Sequence, residues 1–234
     1  MIGMGHILIF VVFLVISLVV GQTLKFKFKK YSKIPLGSGK TGKDVAEKML
    51  RDNGISDVNV ICVQGRLTDH YNPANKTVNL SEDVYYGQSI SSAAVAAHEC
   101  GHAVQHAMAY APLKLRTALV PLQNISAQIL NFIFIAMFFG MAFVGGIFSI
   151  NTALIIFIVC YGIFTLFAFV TLPVEINASQ RALVWLADSG ITNESNHDMA
   201  KDALKWAAYT YLVAALSSLA MLLYYIMLFM GRRN

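Results

Sequence analysis

The chain has 234 residues, 56% of them apolar and only 13% charged, a balance that excludes an ordinary water-soluble domain. Its net charge of +5 comes largely from lysines crowded beside one apolar segment, so they read as topology and lipid-headgroup signals, and no nucleic-acid partner is expected. Cys62, Cys100 and Cys160 carry neither disulfide nor zinc-knuckle spacing, which fits a reducing compartment.

In chain order, residues 1–24 predict a first transmembrane helix with an uninterrupted apolar core over 7–20. The positive charge follows that core, in Lys25, Lys27, Lys29, Lys30, Lys33, Lys40 and Lys43, the reverse of a cleaved signal peptide. That order predicts an anchor with its N-terminus outside and its lysines on the cytoplasmic side. Residues 41–53 read as an amphipathic helix closed by Gly54. A β-branched strand over 58–63, a second strand over 65–70, a turn at Asn72-Pro73-Ala74-Asn75 and a third strand over 76–80 follow. Zinc proteases lay extended substrates along an edge strand, and residues 77–80 are the candidate for that pairing, with an ordinary sheet strand as the alternative.

An alanine-rich helix comes next, with Ser91 or Ser92 as its N-cap and Pro112 barring continuation past Tyr110. It carries His98-Glu99-Cys100-Gly101-His102. Four residues apart on a helix, His98 and His102 can turn both imidazoles toward one metal ion. Glu99, beside the first of them, can then take a proton from a metal-bound water. Cys100 reads as a small packing residue. His106 lies on roughly the same face, but three successive imidazoles would spread over about 12 Å, a poor tetrahedral set. Outer-sphere contact, substrate contact and plain helix surface all stay open for it.

A further helix should run through Pro121 into the membrane. Asn124, Gln128 and Asn131 fall on one face of it, expected to line the active-site cavity or to hydrogen-bond a neighbouring helix. Residues 129–150, with Gly145-Gly146 near the outer end, 153–172 and 207–230 complete four spans. The cytoplasmic metallopeptidase part occupies 25–128, and a cytoplasmic helix occupies 173–206. Four passes place the C-terminus outside, against which the basic pair Arg232 and Arg233 weighs.

A catalytic zinc usually has three protein ligands and an open position. No third histidine follows at the longer metzincin spacing, since position 108 is Met. Glu175 is the only acid between Glu99 and Asp188 and lies just past the third span, which makes it the expected third ligand. Leu172-Pro173 predicts a new helix with Glu175 in its first turn and Gly190 capping the far end. Charge complementarity at that helix start is the competing reading. The oxyanion donor is left open among His106, Arg181, Tyr209 and Tyr211.

The segments 97–106 and 172–183, with the lead-in Asp69-His70-Tyr71-Asn72-Pro73 to Thr77-Val78-Asn79-Leu80-Ser81, resemble the YugP-like family of bacterial membrane zinc metallopeptidases. The similarity covers nearly the whole chain, and more distantly extends to the CAAX prenyl protease and heat-shock protease X families. The resemblance implies His98, His102 and Glu175 as ligands of one zinc ion and Glu99 as general base. Where those distant families place an Asp in a Glu-x-x-x-Asp pattern, this chain has Ser179, a hydroxyl that can still accept a histidine N–H, though more weakly.

The expected molecule is thus a multi-pass α-helical membrane protein with four transmembrane helices and a small α+β, gluzincin-like cytoplasmic domain. It would cleave proteins or peptides at the cytoplasmic face of the plasma membrane, with membrane lipid as its other partner. The alternatives are a non-hydrolytic zinc scaffold and a transporter, the latter disfavoured by spans without Asp, Glu, Lys or Arg.

Overall fold

A computed structural model describes residues 4–139 and 150–232 of the chain. The elements run α1 (Met4–Tyr31), α2 (Gly42–Asp52), β1 (Asn59–Val63), β2 (His70–Asn72), β3 (Thr77–Ser81), α3 (Glu82–Tyr85), α4 (Ile90–Ala107), α5 (Ala111–Phe139), α6 (Ile150–Asp188) and α7 (Glu194–Gly231). The far end of the second predicted span, Gly145-Gly146, the start of the hairpin that follows and Arg233 lie outside the described residues.

Among the described residues α1, α5, α6 and α7 are long and apolar enough to cross a membrane. The chain divides into two compact units. The first draws on Met1–Leu18, Leu115–Leu172 and Tyr211–Asn234. Its core is aromatic: Phe157 stacks on Tyr225 at 4.7 Å, with Leu130, Leu154 and Met221 buried in the same cluster. Exposed Ile, Leu, Val and Phe cover the rest of these helices, as a hydrocarbon solvent permits.

The second unit comprises Val19–Lys114 and Pro173–Thr210. Its sheet has the order β1-β3-β2, with β1 parallel and β2 antiparallel to β3. This corrects the substrate-strand expectation: residues 77–80 belong to the central strand, whose two sides are already paired, and β1 and β2 form the edges. The strand expected over 65–70 does not form either. Gly65 and Leu67 have φ of 104° and 59°, which turns the chain out of an extended path, and β2 begins only at His70.

Helix α2 starts on a capping box in which Thr41 and Asp44 satisfy each other's backbone N–H, and it buries Val45, Ala46, Met49 and Leu50. It packs on α4, whose alanines let the two backbones come close. The N-cap of α4 is Ser89, not Ser91 or Ser92: Ser89 keeps an extended backbone and its side chain accepts the Ser92 N–H. Ser91 and Ser92 are already inside the helix, so they cannot cap it. Beyond Ala107, Ala109 takes a left-handed φ of 53°, and Pro112 sits in the first turn of α5, where its missing N–H costs nothing.

The largest departure concerns Pro173. It does not open a new helix but lies inside the continuous 39-residue α6, so Glu175 is mid-helix and the helix-start explanation for its charge no longer applies. A proline inside a helix forfeits one N–H, and α6 tolerates that loss at the residue where the two units divide. At the other end Gly190, with φ of 68°, donates its N–H to Ala187 O and ends the helix as expected.

Candidate metal centre

Within the second unit, α4 carries His98, Glu99 and His102, and α6 carries Glu175 and Ser179. The helices can approach at this level because residue 101 is glycine. A Cβ there would stand 2.5 Å from the backbone O of Ala178, so any side chain would push α6 away. The contact brings Glu175 Oε2 to 3.3 Å from His98 Nε2 and 3.5 Å from His102 Nε2. One ligand atom from each of the three residues lies within 4.8 Å of the others. Glu175 is almost fully buried, at 2% exposure.

The orientation of these rings is set from outside the cluster. The Arg181 Nε–H, a donor only, points at Asn177 Oδ1 (2.8 Å) and so fixes that amide's orientation. Gln105 Nε2 donates to the Val174 carbonyl (2.8 Å) and to Asn177 Oδ1 (3.0 Å). Gln105 Oε1 therefore faces His102 Nδ1 at 3.1 Å and accepts its proton. That tautomer leaves the lone pair of His102 Nε2 directed at Glu175. His98 Nδ1 lies 3.1 Å from Ser179 Oγ, the hydroxyl contact expected of Ser179.

Lone-pair atoms that face one another across a buried space repel unless a cation lies between them. Burial favours a neutral His102, yet the Glu175 carboxylate outweighs it and raises the imidazole pKa. Burial likewise pushes the Glu175 carboxyl up, but the two imidazoles hold it well below the usual carboxylate range. Two imidazole nitrogens, each ring oriented by a hydrogen-bonded neighbour, and one carboxylate oxygen make a donor set that suits zinc.

Glu99 lies outside this triad. It is buried, and its Oε2 accepts the backbone N–H of Tyr71 from edge strand β2 at 3.0 Å. The same residue's hydroxyl lies 2.7 Å from His106 Nδ1, so His106 is engaged with β2 and exposed, one turn beyond His102. Asp69 ties the start of β2 to the end of β3 by accepting the Ser81 N–H (2.7 Å) and hydroxyl.

The remaining sequence candidates part company. Arg181 belongs to the orienting network, with Nη1 on Met108 Sδ at 3.2 Å. Tyr209 packs edge-on against Trp206 under Lys205, and Tyr211 belongs to the other unit. Cys100 is fully buried with its thiol toward Ala46 O, and burial pushes its pKa up, as befits packing. The amides Asn124, Gln128 and Asn131 are exposed and belong to the first unit, not to the one that carries the metal centre. Sequence reasoning passed over Gln105, Asn177, Tyr71 and Gly101. For Gln105 a signal existed: it stands three residues after His102, on the same helical face.

A family model described as "Putative neutral zinc metallopeptidase" matches residues 6–230. The chain is also 40% identical over 211 residues, 90% of its own length and 90% of the relative's, to "Putative membrane protease YugP" of Bacillus subtilis (strain 168). No solved structure matches it.

Proposed function

The chain belongs to the family described as "Putative neutral zinc metallopeptidase", and from that premise we propose that it is a membrane-embedded zinc endopeptidase acting at the cytoplasmic membrane face. The observation that carries this reading is the convergence of His98, His102 and Glu175 within 4.8 Å, next in sequence to a buried carboxylate on the same helix. His98, His102 and Glu175 would hold a single ion. Bound there, zinc supplies a Lewis acid for the scissile carbonyl and a water acidified to about pKa 7.

The protein's own groups do the rest. Glu99 takes the proton of the attacking water and returns it to the leaving amine. Ser179 and Gln105 keep the Nδ1 positions occupied, so that each ring presents Nε2. The Tyr71 N–H holds the Glu99 carboxylate in place from β2. His106, tied to Tyr71, Arg181 and Tyr209 are the oxyanion candidates on this unit. The lysines that follow the apolar core of α1 support a site on the cytoplasmic side of a plasma membrane, with protein or peptide segments at that surface as substrates.

Zinc content and hydrolysis of a casein-like substrate test the assignment. The wild type should carry one zinc and cleave, and His98→Ala and Glu175→Ala should lose the metal. Glu99→Gln should keep the metal and lose cleavage by several orders of magnitude; cleavage retained in that variant would reject Glu99 as base. Stoichiometric zinc with no turnover in the wild type would favour the scaffold reading instead.

A further inference from the structure

The amide stripe of α5 has no role in the metal centre, yet it is the feature least compatible with the solvent around it. Among the described residues α5 carries no charged residue after Arg116, a length of about 35 Å from 117 to 139 at 1.5 Å per residue, and the three amides lie inside the stretch apolar enough to cross a membrane. Gln128 lies within that uncharged length, with Asn124 one turn before it and Asn131 about one turn after. All three are exposed, and none has a hydrogen-bond partner among the described residues. Helix α5 meets its own unit through another face, where Ser126 and Leu130 are buried. At 3.6 residues per turn the amides stand roughly 150° round the helix from that face. The exposed Leu122, Ile125, Ile129 and Phe132 need no partner in lipid. Three primary amides do, because hydrocarbon offers neither donor nor acceptor.

We propose that α5 is the contact helix of a parallel homodimer, in which Asn124, Gln128 and Asn131 meet the same residues of a second copy. The inference rests on the membrane reading above and is independent of the peptidase chemistry. An amide side chain is both donor and acceptor, so an identical face is complementary to it. Copies inserted in the same orientation bring equal residues to equal depth about a two-fold axis along the membrane normal. Spacing of four and then three residues is the seam repeat of a left-handed helix pair, and polar side chains on such a seam fix its register. No charge lies on α5 beyond Arg116 to oppose the approach.

Oxidative cross-linking of the full chain in membranes tests the proposal, with the native cysteines as baseline. Gln128→Cys should give a disulfide-linked species of twice the chain mass. Ile129→Cys, about 100° away on the helix, should give none above baseline. In detergent, light scattering should report a dimer for the wild type and a monomer for the triple variant Asn124→Leu, Gln128→Leu, Asn131→Leu. That variant should stay in the carbonate-resistant membrane fraction with its zinc content unchanged. Equal cross-linking at 128 and 129, a Gln128→Cys adduct of any other mass, or a triple variant as dimeric as the wild type would overturn the proposal. Wild-type protein released by carbonate would sink it together with the membrane reading. Loss of the zinc reading alone would leave it standing.

Discussion

At the scale of single residues, the centre depends as much on its orienting groups as on its donors. Gln105 is fully buried and satisfies His102, the Val174 carbonyl and Asn177 at once. Gln105→Leu keeps the volume but strands the His102 ring N–H, and it frees His102 to adopt the wrong tautomer. Zinc affinity, measured by chelator competition, should fall about 10- to 100-fold, the usual effect of removing a group that orients a ligand. Wild-type affinity in this variant would mean that the network serves packing alone. The histidine pair and Glu99 were legible in the sequence because a four-residue helical repeat fixes their relation. The same repeat puts Gln105 beside His102, but its hold on the tautomer was not legible, because its partners Val174 and Asn177 come from a distant helix.

At the scale of elements, the close approach of α4 and α6 sets the site. Gly101→Ala would press a methyl group against the Ala178 carbonyl, a backbone atom that cannot swing aside. The variant should lose about 1–3 kcal/mol of stability, the usual cost of overpacking, and bind zinc more weakly. Thermal unfolding and metal content together measure both effects, and a neutral substitution would show that the helices can part without harm. The second unit's portions of α1 and α7 are joined by Asp202, whose Oδ2 lies 2.7 Å from Lys27 Nζ and accepts the Tyr31 hydroxyl at 2.5 Å. Burial pushes this carboxyl up, but Lys27 and Tyr31 outweigh it and hold it below the usual range. A depressed carboxyl contributes its stability in full above its unfolded pKa of about 3.9 and loses it as pH falls through the folded value. Wild-type protein should therefore lose stability on acidification in that window, and Asp202→Asn should be less stable at neutral pH and flatter below it. Parallel pH profiles for the two proteins would contradict this.

At the scale of the whole chain, the second unit is assembled from two stretches, Val19–Lys114 and Pro173–Thr210, and the ligand set draws on both. A metal that binds the folded arrangement and not the unfolded chain stabilises it by mass action. Chelation should lower the unfolding temperature of the wild type by several degrees and leave Glu175→Ala unaffected. A wild-type midpoint indifferent to chelation would show that the two stretches hold together without the ion.

By itself the sequence determined the four long apolar helices, the capped α2 and the zinc-type motif, because hydropathy, caps and helical spacing act within a few residues of one another. It offered Glu175 only as the one acid in a long stretch, and the fold brings that residue to the histidine pair. Only the tertiary structure decided that β3 is central and not an edge, that α6 runs through Pro173 without a break, and that Gln105 governs the tautomer of His102. It also decided that the amides of α5 point away from their own unit. Each of these depends on which distant segments pair or pack, and no local pattern of side chains encodes that choice.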